Sequence, residues 1–149
     1  MKKILLLILP VILSAQDVKI GSWKNYLAYN SASYIAESKN NIYCIANGSL
    51  YYLNKDDESI NRMSKINGLS DVDLNKVSYS STLDLLIITY NNCNIDIVSN
   101  NEIINISDIK RKEVAGLKEI NNINLKDSVA YLSTSMGLIL VDLEKKEIK

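Results

Sequence analysis

The sequence superimposes on itself at a spacing of 44 residues, and no other feature restricts its folding as much. Ile42-Tyr43 recurs as Leu86-Ile87 and again as Ala130-Tyr131. Read without gaps, Tyr51, Ile95 and Ile139 share one column, Leu53, Ile97 and Val141 a second, and Ile60, Ile104 and Ile148 a third. Such a period suits a four-stranded propeller blade and exceeds most helical repeats. In the first unit the strands read as Ser33 to Glu37, Ile42 to Ala46, Leu50 to Leu53 and Ser59 to Met63. Asn47-Gly48 is the clearest turn, because both residues tolerate the positive φ that a tight hairpin demands. The second unit turns at Asn91-Asn92 and Asn100-Asn101, the third at Ser135-Met136-Gly137 and Glu144-Lys145-Lys146. The expected fold is all-β: blades of four antiparallel strands, with repeat units at about 33–63, 76–106 and 120–149.

Burial follows from the same pattern. Leu85-Leu86-Ile87-Ile88 is an unbroken apolar run of strand length, which predicts a strand covered on both faces. Asn94-Ile95-Asp96-Ile97 alternates, which predicts a half-buried strand. Val114, Leu117 and Ile120 recur every three residues, so the stretch from Lys110 to Ile120 admits one helical turn. Each unit buries its apolar faces only against neighbours. Closed propellers use at least four blades, so three units read as a fragment of a larger propeller.

Met1-Lys2-Lys3, the apolar run from Ile4 to Leu13 and the boundary at Ser14-Ala15 describe a secretory signal peptide over residues 1–15, cleaved after Ala15. Ten residues rise only about 15 Å as a helix, roughly half a hydrocarbon core, and Pro10 interrupts them, which argues against a membrane anchor. The partial propeller domain then spans residues 16–149. Without Lys2 and Lys3, 15 basic side chains face 17 acidic ones, a net charge near −2. That balance offers no electrostatic reason to bind nucleic acid. Lys110-Arg111-Lys112 is the only basic cluster and is expected to be a solvated loop.

The chemistry of known sites is sparse. The chain has no histidine, which removes the commonest general base and metal ligand. Neither a G-x-G-x-x-G nor a G-x-x-x-x-G-K loop occurs. Cys44 and Cys93 fall in different columns, so nothing brings them to disulfide distance; a buried, apolar-like Cys44 is the better reading. Asp56-Asp57-Glu58 lies where an outer hairpin needs a polar turn and lacks the spacing of a calcium loop. Asp71 and Asp73 either cap a turn or face a propeller axis. Trp23, Tyr26, Tyr29 and Tyr34 either pack the first strand or stack on a sugar ring. Asn47-Gly48-Ser49 and Asn105-Ile106-Ser107 match the glycosylation pattern. No catalytic, metal or cofactor residues are assigned, and no binding residues are identified.

The stretch Trp23-Lys24-Asn25-Tyr26-Leu27-Ala28-Tyr29-Asn30, followed by Tyr34-Ile35-Ala36 and Ile42-Tyr43-Cys44, resembles the N-terminal propeller of PorZ-type proteins of the type IX secretion system. So do Asn67-Gly68-Leu69-Ser70-Asp71, Cys93-Asn94-Ile95-Asp96-Ile97 and Ser107-Asp108-Ile109-Lys110-Arg111-Lys112. The wider two-component-regulator propeller repeat is similar too, with Leu86-Ile87-Ile88-Thr89 and Tyr131-Leu132-Ser133-Thr134 in place of its W-I-G-T strand. The PorZ resemblance implies an exported, outer-membrane-associated, non-enzymatic accessory protein at the cell surface. Its implied partners are a sortase-like protein and outer-membrane subunits. Anionic lipopolysaccharide would be bound through a C-terminal domain that this chain lacks. The alternative is the exported sensor propeller of a hybrid histidine kinase.

Overall fold

The computed structural model describes residues 30–100 and 102–149. The expected signal peptide and Trp23, Tyr26 and Tyr29 lie outside them. Twelve strands form among the described residues: β1 Ala32–Glu37, β2 Asn41–Ala46, β3 Ser49–Asn54, β4 Ile60–Met63, β5 Leu74–Ser80, β6 Leu85–Tyr90, β7 Ile95–Ser99, β8 Glu102–Ile106, β9 Ile120–Lys126, β10 Val129–Thr134, β11 Gly137–Asp142 and β12 Glu147–Ile148. They make three four-stranded antiparallel sheets, each pairing its strands in chain order. The first strands β1, β5 and β9 stand side by side. These are propeller blades 1, 2 and 3, and they do not close into a ring.

The structure corrects the gapless repeat by one residue. Asn47 (φ 46) and Gly48 (φ 68) turn β2 into β3 in two residues, with Ala46 paired to Ser49. Ser135-Met136 does the same between Thr134 and Gly137. Between β6 and β7 the Tyr90 amide instead donates to the Asn94 carbonyl (3.1 Å), leaving a three-residue loop, with Cys93 left-handed at φ 62. This is the type I turn plus bulge that three-residue hairpins favour. Cys44 pairs with Tyr51, Ile88 with Asp96 and Leu132 with Ile139. The true column is therefore Tyr51, Asp96 and Ile139. The outer hairpin absorbs the slip, for Ser99 pairs with Glu102 across two residues.

Packing follows from the alternation of side chains across each strand. Leu86, Ile88 and Tyr90 of β6 join Ile45, Leu50, Leu74 and Val77 in a core between blades 1 and 2. Leu85 and Ile87 join Ile95, Ile97, Ile120, Leu132 and Val141 in a core between blades 2 and 3. All six residues of β6 are buried, as its unbroken apolar run predicts. The alternating strand departs from expectation: Asp96 is as fully buried as Ile95. With sheets on both sides of blade 2, the first three residues of β7 are buried on both faces. The helical turn also moves. It spans Asp108–Arg111 (α1), and Ile120 opens β9 instead of closing a helix.

Two faces remain open among the described residues. Ile42 and Cys44 of β2 point away from blade 2, in the columns where Leu86 and Ile88 meet blade 1. Beside them Ile35 and Ile60 are 64% and 67% exposed. On blade 3, Tyr131 and Leu140 pair on the face away from blade 2, next to exposed Leu138.

Candidate functional site

Strand directions place two sets of loops at opposite ends of the blades. One end carries the β2–β3 and β6–β7 turns and both crossovers between blades. There Asp96 is buried with its carboxylate fully engaged. Oδ2 accepts from Tyr90 Oη (2.6 Å) and the Ser70 amide (2.8 Å), and Oδ1 accepts from Asn105 Nδ2 (2.8 Å). Burial and the neighbouring Asp96 charge drive the Tyr90 pKa far above that of a free phenol, so its hydroxyl is a permanent donor. A carboxylate buried away from solvent that accepts from three donors is a structural node.

Asp71 lies next to this node. It accepts from Asn92 Nδ2 and from Lys110 Nζ, both at 2.6 Å, and from the Val72 amide at 3.0 Å. Burial raises its pKa, but these donors outweigh that and bring it down to about 2. The contacts tie the first crossover, the β6–β7 turn and α1 together. Asp71 is thus a clamp between loops. Asp73, left-handed at φ 61, presses against the first blade: its Oδ1 would lie 2.6 Å from a Cβ built on Gly48. Lys110-Arg111-Lys112 is divided, for Lys110 serves Asp71 and Arg111 pairs with Asp108.

The other expected residues find ordinary positions. Cys44 and Cys93 are both free and buried, Cys44 in β2 and Cys93 in the β6–β7 turn instead of at a strand start. Burial raises the Cys93 thiol pKa. Asp57 Oδ1 accepts from the Ser59 amide inside the outer turn. Tyr34 lies on β1, donates to Asn122 Oδ1 (3.1 Å) and carries Lys76 Nζ 4.7 Å above its ring. Asn105 spends its amide on Asp96, Asn94 and Ile95. Among the described residues no three His, Cys, Asp or Glu side chains gather where they could hold a metal ion, and no helix is long and apolar enough to cross a membrane.

The opposite end holds a cleft of about 920 Å³ between blades 1 and 2. Half-buried Tyr43 and Tyr79 line it, with Asn40, Asn41, Ser81 and Asn100 around them. Tyr79 Oη donates to Asp84 (2.6 Å), and that carboxylate pushes the phenol pKa up to about 12. Asn41 Nδ2 donates to Tyr43 Oη, while Asn41 Oδ1 has no partner. Sequence reasoning missed both this cleft and the Asp96 node. Once the one-residue slip is known, Asp96 stands out as a carboxylate in a column otherwise held by Tyr51 and Ile139.

These features match a known propeller. The PorZ structure from Porphyromonas gingivalis, described as an essential bacterial surface component of the type IX secretion system, superimposes with a TM-score of 0.76 at 27% identity. The match covers 82% of this chain and 17% of that one. Two structures of AztD from Citrobacter koseri match at TM-scores of 0.57 and 0.58 with 15% identity. They cover 80% of this chain and about a third of theirs, a likeness of fold alone. No curated protein matches the sequence. The family model described as the type IX secretion PorZ N-terminal beta-propeller domain matches residues 42–149. Blade order, strand count and this match lead to one assignment: the chain belongs to the PorZ N-terminal β-propeller family of the type IX secretion system.

Proposed function

We propose that the chain is part of a non-enzymatic docking scaffold at the cell surface, helping a type IX secretion complex present anionic lipopolysaccharide to a sortase-like partner. The observation that carries this reading is the family match over residues 42–149. The chain spans about a sixth of the PorZ structure it resembles, so the role of the whole protein comes to it by inference. The chemistry is consistent with docking: Asp71 and Asp96 are committed to structural hydrogen bonds. Export by residues 1–15 and contact with outer-membrane subunits belong to the same proposal. Deleting the gene in its host and following secreted cargo tests it. Cargo should lose its lipopolysaccharide modification and regain it on complementation; unchanged cargo in the deletion strain would refute the scaffold role.

A further inference from the structure

The two interfaces between blades use the same columns with different chemistry. Between blades 2 and 3, Ile87 pairs with Ile97 and packs with Leu125 of β9 in one continuous apolar core. The corresponding residues between blades 1 and 2 are Tyr43, paired with Tyr52, and Tyr79 of β5. Aliphatic side chains are therefore sufficient to join two blades at these positions. With tyrosines in their place the interface holds the 920 Å³ cleft, lined by Tyr43 and Tyr79 and near the upper end of the roughly 300–1,000 Å³ typical of ligand sites.

We propose that this cleft binds a short neutral oligosaccharide, a role beyond the docking function above. Tyr43 and Tyr52 form a tilted ring pair with centroids 5.5 Å apart, and Tyr79 lines the cleft from the next blade. Aromatic rings offer apolar area with a polar edge, which matches the apolar face and hydroxyl rim of a sugar ring. Asn41, also in the lining, donates through Nδ2 to Tyr43 Oη and so orients that phenol. Asn40, Asn100 and Ser81 add exposed amide and hydroxyl groups at the rim. The charges balance: Lys55 is bound to Glu37 (2.5 Å), and one further lysine and one further carboxylate, Lys39 and Asp84, complete the charged lining. With no excess of either sign, the cleft has no electrostatic preference for an anionic ligand.

An array of neutral and anionic glycans, probed with the full chain, tests the proposal. Neutral glycans should be retained, and Ser81→Trp should reduce their affinity at least about tenfold by placing an indole across the mouth from an exposed turn. Tyr79→Ala should weaken retention similarly. Because that variant also thins the interface, Tyr79→Phe is its partner and should keep most of the binding through its ring. Failure of the chain to retain any glycan would overturn the proposal, as would retention indifferent to Ser81→Trp. Retention confined to anionic glycans and abolished by salt would overturn the neutral assignment.

Discussion

Gly48 and Asp96 show how single positions set the limits of this fold. A Cβ at Gly48 would sit 2.6 Å from Asp73 Oδ1 and 3.2 Å from Asp73 Cα, at a φ of 68°. Gly48→Ala should therefore cost about 2–4 kcal/mol in urea unfolding, from left-handed strain plus overpacking. Gly116→Ala, with φ 106 and no atom within 4 Å, should cost only the strain; equal losses would deny the Gly48–Asp73 contact any weight. Asp96→Ala leaves Tyr90 Oη, Asn105 Nδ2 and the Ser70 amide without their acceptor inside the core, and should destabilise by about 3–5 kcal/mol. Asp71 governs acid behaviour. Its folded pKa, about 2, lies below the ordinary 3.8, so its contribution is complete above about pH 4 and disappears as pH falls toward 2. Lys110 is 42% exposed, and screening limits the effect to roughly 1–2 kcal/mol. Asp71→Asn should flatten stability over that acid range, as pH-dependent melting would record. The left-handed turn at Gly48 was legible in the sequence; the Asp73 contact, the Asp71 clamp and the Asp96 node were not. A carboxylate inside an alternating strand reads as solvent-facing until the adjoining sheet is placed over it.

At the scale of elements the sequence reading was nearly complete. Turn chemistry located the hairpin at Asn47-Gly48, and the apolar run of β6 revealed a strand with no wet face. The miss at β7 has a definite cause. Asn91-Asn92 looks like the two-residue turns of the other blades, but Cys93 also enters the loop, and a 44-residue period hides the insertion because the outer hairpin is shorter. The turn at Cys93 predicts its reactivity. Its thiol is buried, and burial raises its pKa, so it should resist alkylation in the folded chain and react on unfolding. Cys44 is likewise buried in β2, and the chain should migrate alike with and without reductant. Rapid native alkylation at position 93 would show that the β6–β7 loop is not packed as described.

For the whole molecule, the open faces of blades 1 and 3 dominate behaviour in isolation. Ile35 and Ile60 expose apolar area beside Ile42 and Cys44, whose columns bury Leu86 and Ile88 one blade later. Residues 16–149 alone should self-associate, since unpaired sheet faces and edges are templates for association. Ile35→Lys combined with Ile60→Lys should shift light-scattering masses toward monomer. A sharply melting monomer from the unaltered chain would mean that these faces are covered from within.

β6 has a consequence for motion. Its six residues serve the cores on both sides of blade 2, whereas β12 contributes two residues at an outer edge. Loosening blade 1 and loosening blade 3 therefore draw on the same strand. Backbone amides of β6 should exchange with deuterium only through global opening, while those of β12 exchange through local fraying. The middle blade acts as the clock of the fragment: how long it stays shut sets how long either neighbour has a surface to return to.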